Sequence, residues 1–323
     1  MQKCRVTEHP PKLLKLAADL FADDEGEQRL FCDNVLKVQP YRPALVWMGE
    51  RPADNPFGVE ERQSWQPDFV DRLKRDQRPG QYPLHEQGSY YCMNFSSVFE
   101  SCVFRVVPEE PELVIDVCAS PGGKSVFASR LLHPKRLISN EVIRKRTAQL
   151  IANLRRCDVG SVTVTSDDTA VLADQCPGAA DLVIVDAPCS GQSMIAKGKH
   201  VTAAFHSHVI NHNRNRQRRI LGNAVKMVKQ GGHLAYITCT YARKENEGNL
   251  EWFIDRFPEF EALVVPELDE FRSSLTEQPC YRLWPQQGLG AGGFTSILRK
   301  TDRMETKGSI VNPRAVWQST IEQ

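Results

Sequence analysis

Leu113-Val114-Ile115-Asp116-Val117-Cys118-Ala119-Ser120-Pro121-Gly122-Gly123-Lys124-Ser125 is the stretch on which the fold turns. A short apolar run that breaks into a glycine turn and continues as a helix over 122–132 reads as a buried parallel strand entering a crossover. The alternation then repeats. RLISNE (136–141) is a second strand, followed by an amphipathic helix over 143–156, and SVTVTSD (161–167) is a third. DLVIVDAP (181–188) is a fourth strand, and a helix over 213–229 is stopped by Gly231 and Gly232. HLAYITC (233–239) is a fifth, a further helix covers 245–257, and FTSILRK (294–300) is the last strand. Parallel neighbours need such crossovers, so the pattern specifies an α/β fold with a largely parallel sheet.

Upstream of residue 89 the pattern is weak. The segment is rich in proline and aromatic residues and has one early helix over 13–21. The expected organisation is an N-terminal extension (1–88), an α/β domain (89–300) and a polar, mobile tail (301–323). With 41% hydrophobic and 25% charged residues and a mean hydropathy of −0.41, the chain has core material but no membrane span. Its first residues, MQKCRVTEHPPKLLKL, lack the apolar block of an export signal. The ten cysteines include no CxxC pair, which argues against a zinc site, a redox dithiol or a disulfide framework. A reducing, cytoplasmic location and a monomer with no metal are expected.

The net charge is only +1, yet no acidic residue lies between Asp186 and Glu245. That interval holds Lys197, Lys199, Arg214, Arg216, Arg218, Arg219, Lys226, Lys229, Arg243 and Lys244, with five of the eight histidines. Such a segregated basic zone suits a nucleic-acid groove; the alternative is a solvated helix face balanced by distant acids.

Ligands of doubly wound sheets sit beyond the carboxyl ends of the strands. After the first strand, the two glycines permit close backbone approach and a helix presents free N–H groups. A phosphate-binding GxxxxGK[ST] would need glycine at 118, where cysteine stands, and GxGxxG is absent. The next three strands end in Glu141, in Asp167 and Asp168, and in Asp186. One such acid would be read as a helix cap. Three around one glycine turn indicate a nucleoside without a phosphate to cradle, which points to S-adenosylmethionine. Cys189 and Cys239 follow adjacent strands and should face one cleft. Carbon 5 of cytosine is too weak a nucleophile to take a methyl group directly. A thiolate adding at carbon 6 activates it, and a second group helps remove the carbon 5 proton.

The chain from about Tyr90 to Lys300 resembles the Nol1/Nop2/Sun (RsmB/RsmF-like) family of RNA 5-methylcytosine methyltransferases. The resemblance rests on DVCASPGGKS (116–125), NEVIRKR (140–146), Asp168, DAPCSG (186–191), TCTYARKENE (238–247) and RLWPQ (282–286) with GGFTSILRK (292–300). It implies a class I, Rossmann-like methyltransferase domain behind a small RNA-binding extension. It also implies that Cys118, Ala119, Ser120, Pro121, Gly122, Gly123 and Lys124 hold the cofactor, with Glu141 on the ribose, Arg146 nearby, Asp168 by the adenine and Asp186 near the reacting groups. It assigns Cys239 as nucleophile and Cys189 to product release, with Asp186 on the cytosine edge and Lys197 as a further basic residue. The residues alone leave the order of the cysteines open, since DNA cytosine methyltransferases use a Pro-Cys nucleophile. Tyr90-Tyr91-Cys92-Met93-Asn94 precedes Phe95-Ser96-Ser97, where similar enzymes carry Gln-Glu or Gln-Asp. The expected function is methylation of a cytidine in structured ribosomal or transfer RNA. The alternatives are a DNA cytosine methyltransferase and a non-catalytic RNA-binding or ribosome-assembly factor of the same fold.

Overall fold

The computed structural model describes residues 9–38, 43–201, 203–301, 308–309 and 313–319. Helices α1 (Pro11–Phe21) and α2 (Glu25–Leu36) form an N-terminal hairpin. They are followed by β1 (Pro43–Trp47), β2 (Val70–Arg72), α3 (Pro83–Glu86), β3 (Tyr90–Asn94) and α4 (Phe95–Ser101). The α/β alternation begins with β4 (Val114–Asp116) and α5 (Gly123–Leu132), β5 (Leu137–Asn140) and α6 (Arg144–Arg156), then β6 (Val162–Thr165) and α7 (Thr169–Gln175). It continues with β7 (Ala180–Asp186), α8 (Ser193–Ala196), α9 (Ser207–Met227), β8 (Val228–Thr238) and α10 (Glu247–Arg256). The C-terminal strands are β9 (Phe260–Ala262), β10 (Tyr281–Leu283), β11 (Gly293–Lys300) and β12 (Trp317–Gln318).

The main sheet runs β10-β11-β8-β7-β4-β5-β6-β12, with β9 on β11. Strands β8, β7, β4, β5 and β6 pair in parallel, and β11 is antiparallel to β8. Side chains alternate across this sheet as the pleat requires. Val114, Leu182, Ile184 and Ile237 feed the core under α5 and α6. Ile115, Val183, Val185 and Tyr236 feed the core under α9 and α10. Strand order reverses at β4, whose neighbours are β5 and β7, so the cleft opens at the carboxyl ends of those strands.

The small sheet β2-β1-β3 joins residues from both sides of the boundary expected at 88/89. Asn94 Oδ1 accepts from the N–H and Oγ of Ser96, so Asn94 caps α4. The hairpin of α1 and α2 packs its apolar stripe onto Tyr241, beyond β8, with Phe31 meeting Tyr241 edge-on at 5.1 Å.

Three expectations shift. Helix α9 runs from Ser207, six residues before the first residue expected, to Met227; ahead of Ile220 its only apolar residues are Val209 and Ile210, too few to mark a helical stripe. Strand β8 starts at Val228 and runs through Gly231 and Gly232. The expected tail is partly structured: Trp317 and Gln318 pair antiparallel with Val164 and Thr163 of β6, and the Arg155 guanidinium lies over Trp317. A two-residue strand leaves no periodic signal, but it covers the open hydrogen-bonding edge of β6. Residues 302–307, 310–312 and 320–323 of that tail lie outside the described residues, as do residues 1–8 of the extension. Among the described residues no helix is long and apolar enough to cross a membrane.

Arg282 on β10 and Glu247 at the start of α10 form a buried bidentate pair, with side chains 2% and 0% exposed. Burial alone would raise the Glu247 carboxyl, but Arg282 and Ser273 hold it below the ordinary glutamate range. Replacing Arg282 by methionine strands a buried carboxylate and should cost about 3–5 kcal/mol. Urea denaturation at pH 7 should show a lower midpoint with an unchanged slope. An unchanged midpoint would mean the pair is not a structural tie.

Candidate active site

The glycine turn is braced from three directions. Asp116, at the end of β4, is pulled beneath it, accepting from Ser125 Oγ at 2.8 Å and Cys118 N–H at 3.3 Å. Burial pushes its carboxyl up to about 7, against the pull of those two bonds. Arg146 donates to the Ser120 carbonyl at 2.8 Å and pairs with Glu141 at 3.1 Å, and Asn153 donates to the Pro121 carbonyl at 2.9 Å. Gly122 precedes α5 with φ +114°, a conformation that side chains resist, and α5 has no side-chain cap, so its first N–H groups face the cleft.

Asn140 ties the strand ends together. Its Nδ2 donates to the carbonyls of Val117 and Asp167 at 3.2 and 3.0 Å, and its Oδ1 accepts from Thr165 Oγ1 and Asp167 N–H at 2.8 and 3.0 Å. Asp168 is the N-cap of α7, accepting from Ala170 N–H at 2.9 Å, and its side chain is exposed. Its neighbour Asp167 keeps a buried Oδ2 without a partner among the described residues. Glu141 is buried, and Ile143 N–H donates to its Oε1 at 2.8 Å. An uncapped helix start, an unpartnered buried acceptor and a row of carboxylates, with the nearby cations Lys124 and Arg146 already paired to carboxylates, fit S-adenosylmethionine, the nucleoside expected from the sequence.

Strands β7 and β8 are in register, with Asp186 opposite Ile237, so the loops beyond them run side by side. The Cys189 and Cys239 sulfurs lie 3.3 Å apart. The hydrogen bond between them lowers Cys239 from the ordinary thiol range; the same bond, with burial, pushes Cys189 well above it. Of the two thiols, Cys239 is therefore the one that ionises more readily. Cys118, by contrast, is pushed up by burial and by Asp116, Asp186 and Glu141, so it stays a thiol.

The ENE segment holds both loops. Glu245 accepts from Ser190 N–H at 3.0 Å and from Gln217 Nε2 at 2.8 Å. Asn246 accepts from Thr238 Oγ1 at 2.6 Å and donates to the Thr240 carbonyl at 2.9 Å. The Arg282 partner of Glu247 donates to the Tyr241 carbonyl at 3.0 Å. Ser190 and Thr240 hydroxyls close the gap at 2.7 Å.

Lys124, buried at the start of α5, reaches Asp186 at 3.4 Å and Glu100 of α4 at 2.7 Å. Burial works against its ammonium, but the two carboxylates outweigh it and keep it above the ordinary lysine range. Lys197, half-buried at the end of α8, adds positive charge felt by Glu100 and Cys239. The structure thus brings Lys197, Asp186, Cys189, Cys239 and Lys124 to one cleft, and adds Glu100 and Asn140, which the sequence reading passed over.

The basic zone divides. Arg218 is structural: its guanidinium bonds Asn249 at 2.9 Å and lies over Trp252 at 4.9 Å. Arg216 and Arg219 instead line an open hollow with His212 and Asn215. A second hollow, between α1 and the segment after β8, is lined by Lys12, Lys15, Arg243, Lys244 and Phe205.

A family model described as 16S rRNA methyltransferase RsmB/F matches residues 103–299. Among curated proteins, the chain is 32% identical over 231 residues to ribosomal RNA small subunit methyltransferase F of Shewanella amazonensis, covering 70% of this chain and 49% of that protein. It is 30% identical over 238 residues to the protein of the same name from Klebsiella pneumoniae, covering 72% and 50%. The chain thus spans about half the length of the curated relatives it matches. A methyltransferase homologue from Pyrococcus horikoshii shares the fold at a TM-score of 0.73 and 21% identity, over 90% of this chain and 97% of that one. NSun6 from the same organism, solved with SFG, gives 0.71 and 18%, over 91% and 98%.

If Cys189 lowers Cys239 by donating a hydrogen bond, iodoacetamide near pH 7 should modify Cys239 before any other cysteine, because the thiolate is the reactive form. In Cys189→Ala the donor is gone, so the midpoint of Cys239 alkylation should move to higher pH. Peptide mass spectrometry across a pH series measures both, and first modification at Cys189 or Cys118 would contradict the assignment.

Proposed function

The chain belongs to the 16S rRNA methyltransferase RsmB/F family, and from that premise we propose that it transfers a methyl group from S-adenosylmethionine to carbon 5 of a cytidine in structured RNA. The observation that carries this reading is the sulfur pair, 3.3 Å apart, with the Cys239 thiol lowered and the Cys189 thiol raised. A lone thiolate could be alkylated or bind metal. A readily ionised thiol beside a second thiol that can act later as a base suits addition to a ring carbon followed by elimination.

In this reading Cys239 adds to carbon 6 of the cytosine, which makes carbon 5 enamine-like. The cofactor, held by the 118–124 turn with Glu141, Arg146 and Asp168 around its nucleoside, supplies an electrophilic methyl group on sulfur. Asp167 joins that set, since its buried oxygen still needs a donor. Asp186 hydrogen-bonds the cytosine edge while Lys124 and Lys197 stabilise charge beside it. Cys189, once its own proton has passed to solvent, takes the carbon 5 proton as a thiolate, and the electron pair left behind expels Cys239 and frees the product.

RNA enters along Arg216, Arg219 and the hollow of Lys12, Lys15, Arg243 and Lys244, so helix α1 of the N-terminal extension supplies one wall of its path. The names of the curated relatives favour small-subunit ribosomal over transfer RNA as substrate. Cytoplasmic action as a monomer belongs to the same proposal.

The order of covalent steps gives a test. Cys239→Ala forms no adduct and loses several orders of magnitude in rate. Cys189→Ala attacks and transfers the methyl group but stalls, leaving a protein–RNA complex that survives a denaturing gel. Trapping in Cys239→Ala instead would give the nucleophile to Cys189, as in DNA cytosine methyltransferases. Wild-type protein that binds RNA without methyl transfer would support an assembly factor.

RNA affinity should also fall steeply with salt, as neutralised phosphates require. Reversing Arg216 and Arg219 to glutamate should flatten that dependence and leave cofactor affinity unchanged in calorimetric titration. A slope equal to wild type would place the RNA elsewhere.

A further inference from the structure

Glu100 has no role in the chemistry above, yet the fold makes a specific place for it. It is 2% exposed and lies on α4 with its carboxylate 2.7 Å from Lys124 Nζ. A Cβ on Gly293 of β11 would stand 1.9 Å from Glu100 Oε1, so glycine there leaves the room the carboxylate occupies. Thr295 Oγ1 donates to the Glu100 carbonyl at 2.9 Å and fixes the backbone behind it. Lys124 is thus gripped from behind by a carboxylate with no solvent route, while its front faces Asp186 at 3.4 Å.

We propose that Glu100 is a positioning residue: its buried carboxylate anchors Lys124 against Asp186 and so fixes the row of charges that borders the cysteine loops. This assignment rests on the methyltransferase reading for its role in turnover, but its effect on Cys239 is independent of any substrate. The charges acting on Glu100 are Lys124 of α5, Asp186 of β7 and Lys197 after α8. Of the other elements packed on α4, β1 and residues 293–298 of β11 carry no titratable side chain. β3 contributes Tyr90, Tyr91 and Cys92, all pushed up by burial and so neutral at physiological pH. The turn after α4 contributes Cys102, also raised by burial, and Arg105, which faces Glu267 at 4.0 Å.

Burial raises the Glu100 carboxyl to about 7 despite the pull of Lys124. Its negative charge opposes the Cys239 thiolate, so each group ionises less readily once the other has done so. The Cys239 titration should therefore be broadened in the wild type. Glu100→Gln keeps the volume and a hydrogen-bond acceptor for Lys124 but removes the charge.

The experiment is the pH dependence of Cys239 alkylation, read by peptide mass spectrometry beside the pH profile of methyl transfer. Glu100→Gln should move the Cys239 midpoint to lower pH by about half a unit or more and sharpen the curve to that of a single group. Glu100→Asp, which keeps the charge, should move it less than half as far. Gly293→Ala, which displaces the carboxylate, should lower turnover more than it changes the KM for RNA, and serves if Glu100→Gln folds poorly. Wild-type alkylation profiles in Glu100→Gln, or equal shifts in the Asp and Gln variants, would overturn the proposal. A wild-type protein inactive on RNA would refute the methyltransferase reading and leave the alkylation result to decide this one.

Discussion

The parallel pairing of β7 with β8, register set by Asp186 opposite Ile237, is the constraint on which the site depends. It delivers two loops to the same edge of the sheet at the spacing of adjacent strands. Strand pairing alone cannot bring two sulfurs to 3.3 Å, because loops relax once they leave the ladder. The side chains of Glu245, Asn246 and the Glu247–Arg282 pair prevent that, each bonding a different part of the two loops. Buried polar networks of this kind are costly when half satisfied and rigid when complete. Glu245 Oε1 stays buried without a partner among the described residues, so this network ties the two loops through its other bonds.

Electrostatics then divides labour among similar groups. Three cysteines lie near the cleft, and of these Cys239 is lowered, chiefly by its hydrogen bond with Cys189. Cys118 shares the cleft but sits among Asp116, Asp186 and Glu141, which keep it protonated. Among the carboxylates, Asp116 is buried under the turn and raised, whereas Asp186 remains partly exposed beside Lys124. Burial and neighbours, more than residue type, decide each role.

Much of this was legible in the sequence, for physical reasons. Apolar runs ending in a glycine or an acid mark buried parallel strands, so the five central strands and the acids beyond them could be read directly. Adjacency of β7 and β8 follows from topology, and it predicted that Cys189 and Cys239 share a cleft. Contacts between distant segments were not legible. Glu100 stands in an apolar stretch where its partner, Lys124, lies 24 residues on. Asn140 looks like an ordinary strand-end residue until its four bonds are seen. Asp167 and Asp168 are neighbours, and only the start of α7 separates the capping acid from the buried one. The short β12 and the small sheet of β1, β2 and β3 join pieces too brief or too far apart for periodicity to reveal.

The central claim is that the Cys239–Cys189 pair at this sheet edge serves methylation of carbon 5 in an RNA cytosine. Its most direct measurement is nucleoside mass spectrometry after incubating the protein with methyl-labelled S-adenosylmethionine and either small-subunit ribosomal RNA or duplex DNA. The label should appear as 5-methylcytidine in the RNA digest and be absent from the DNA digest. Label on a ribose oxygen, on an exocyclic nitrogen or on DNA would contradict the account.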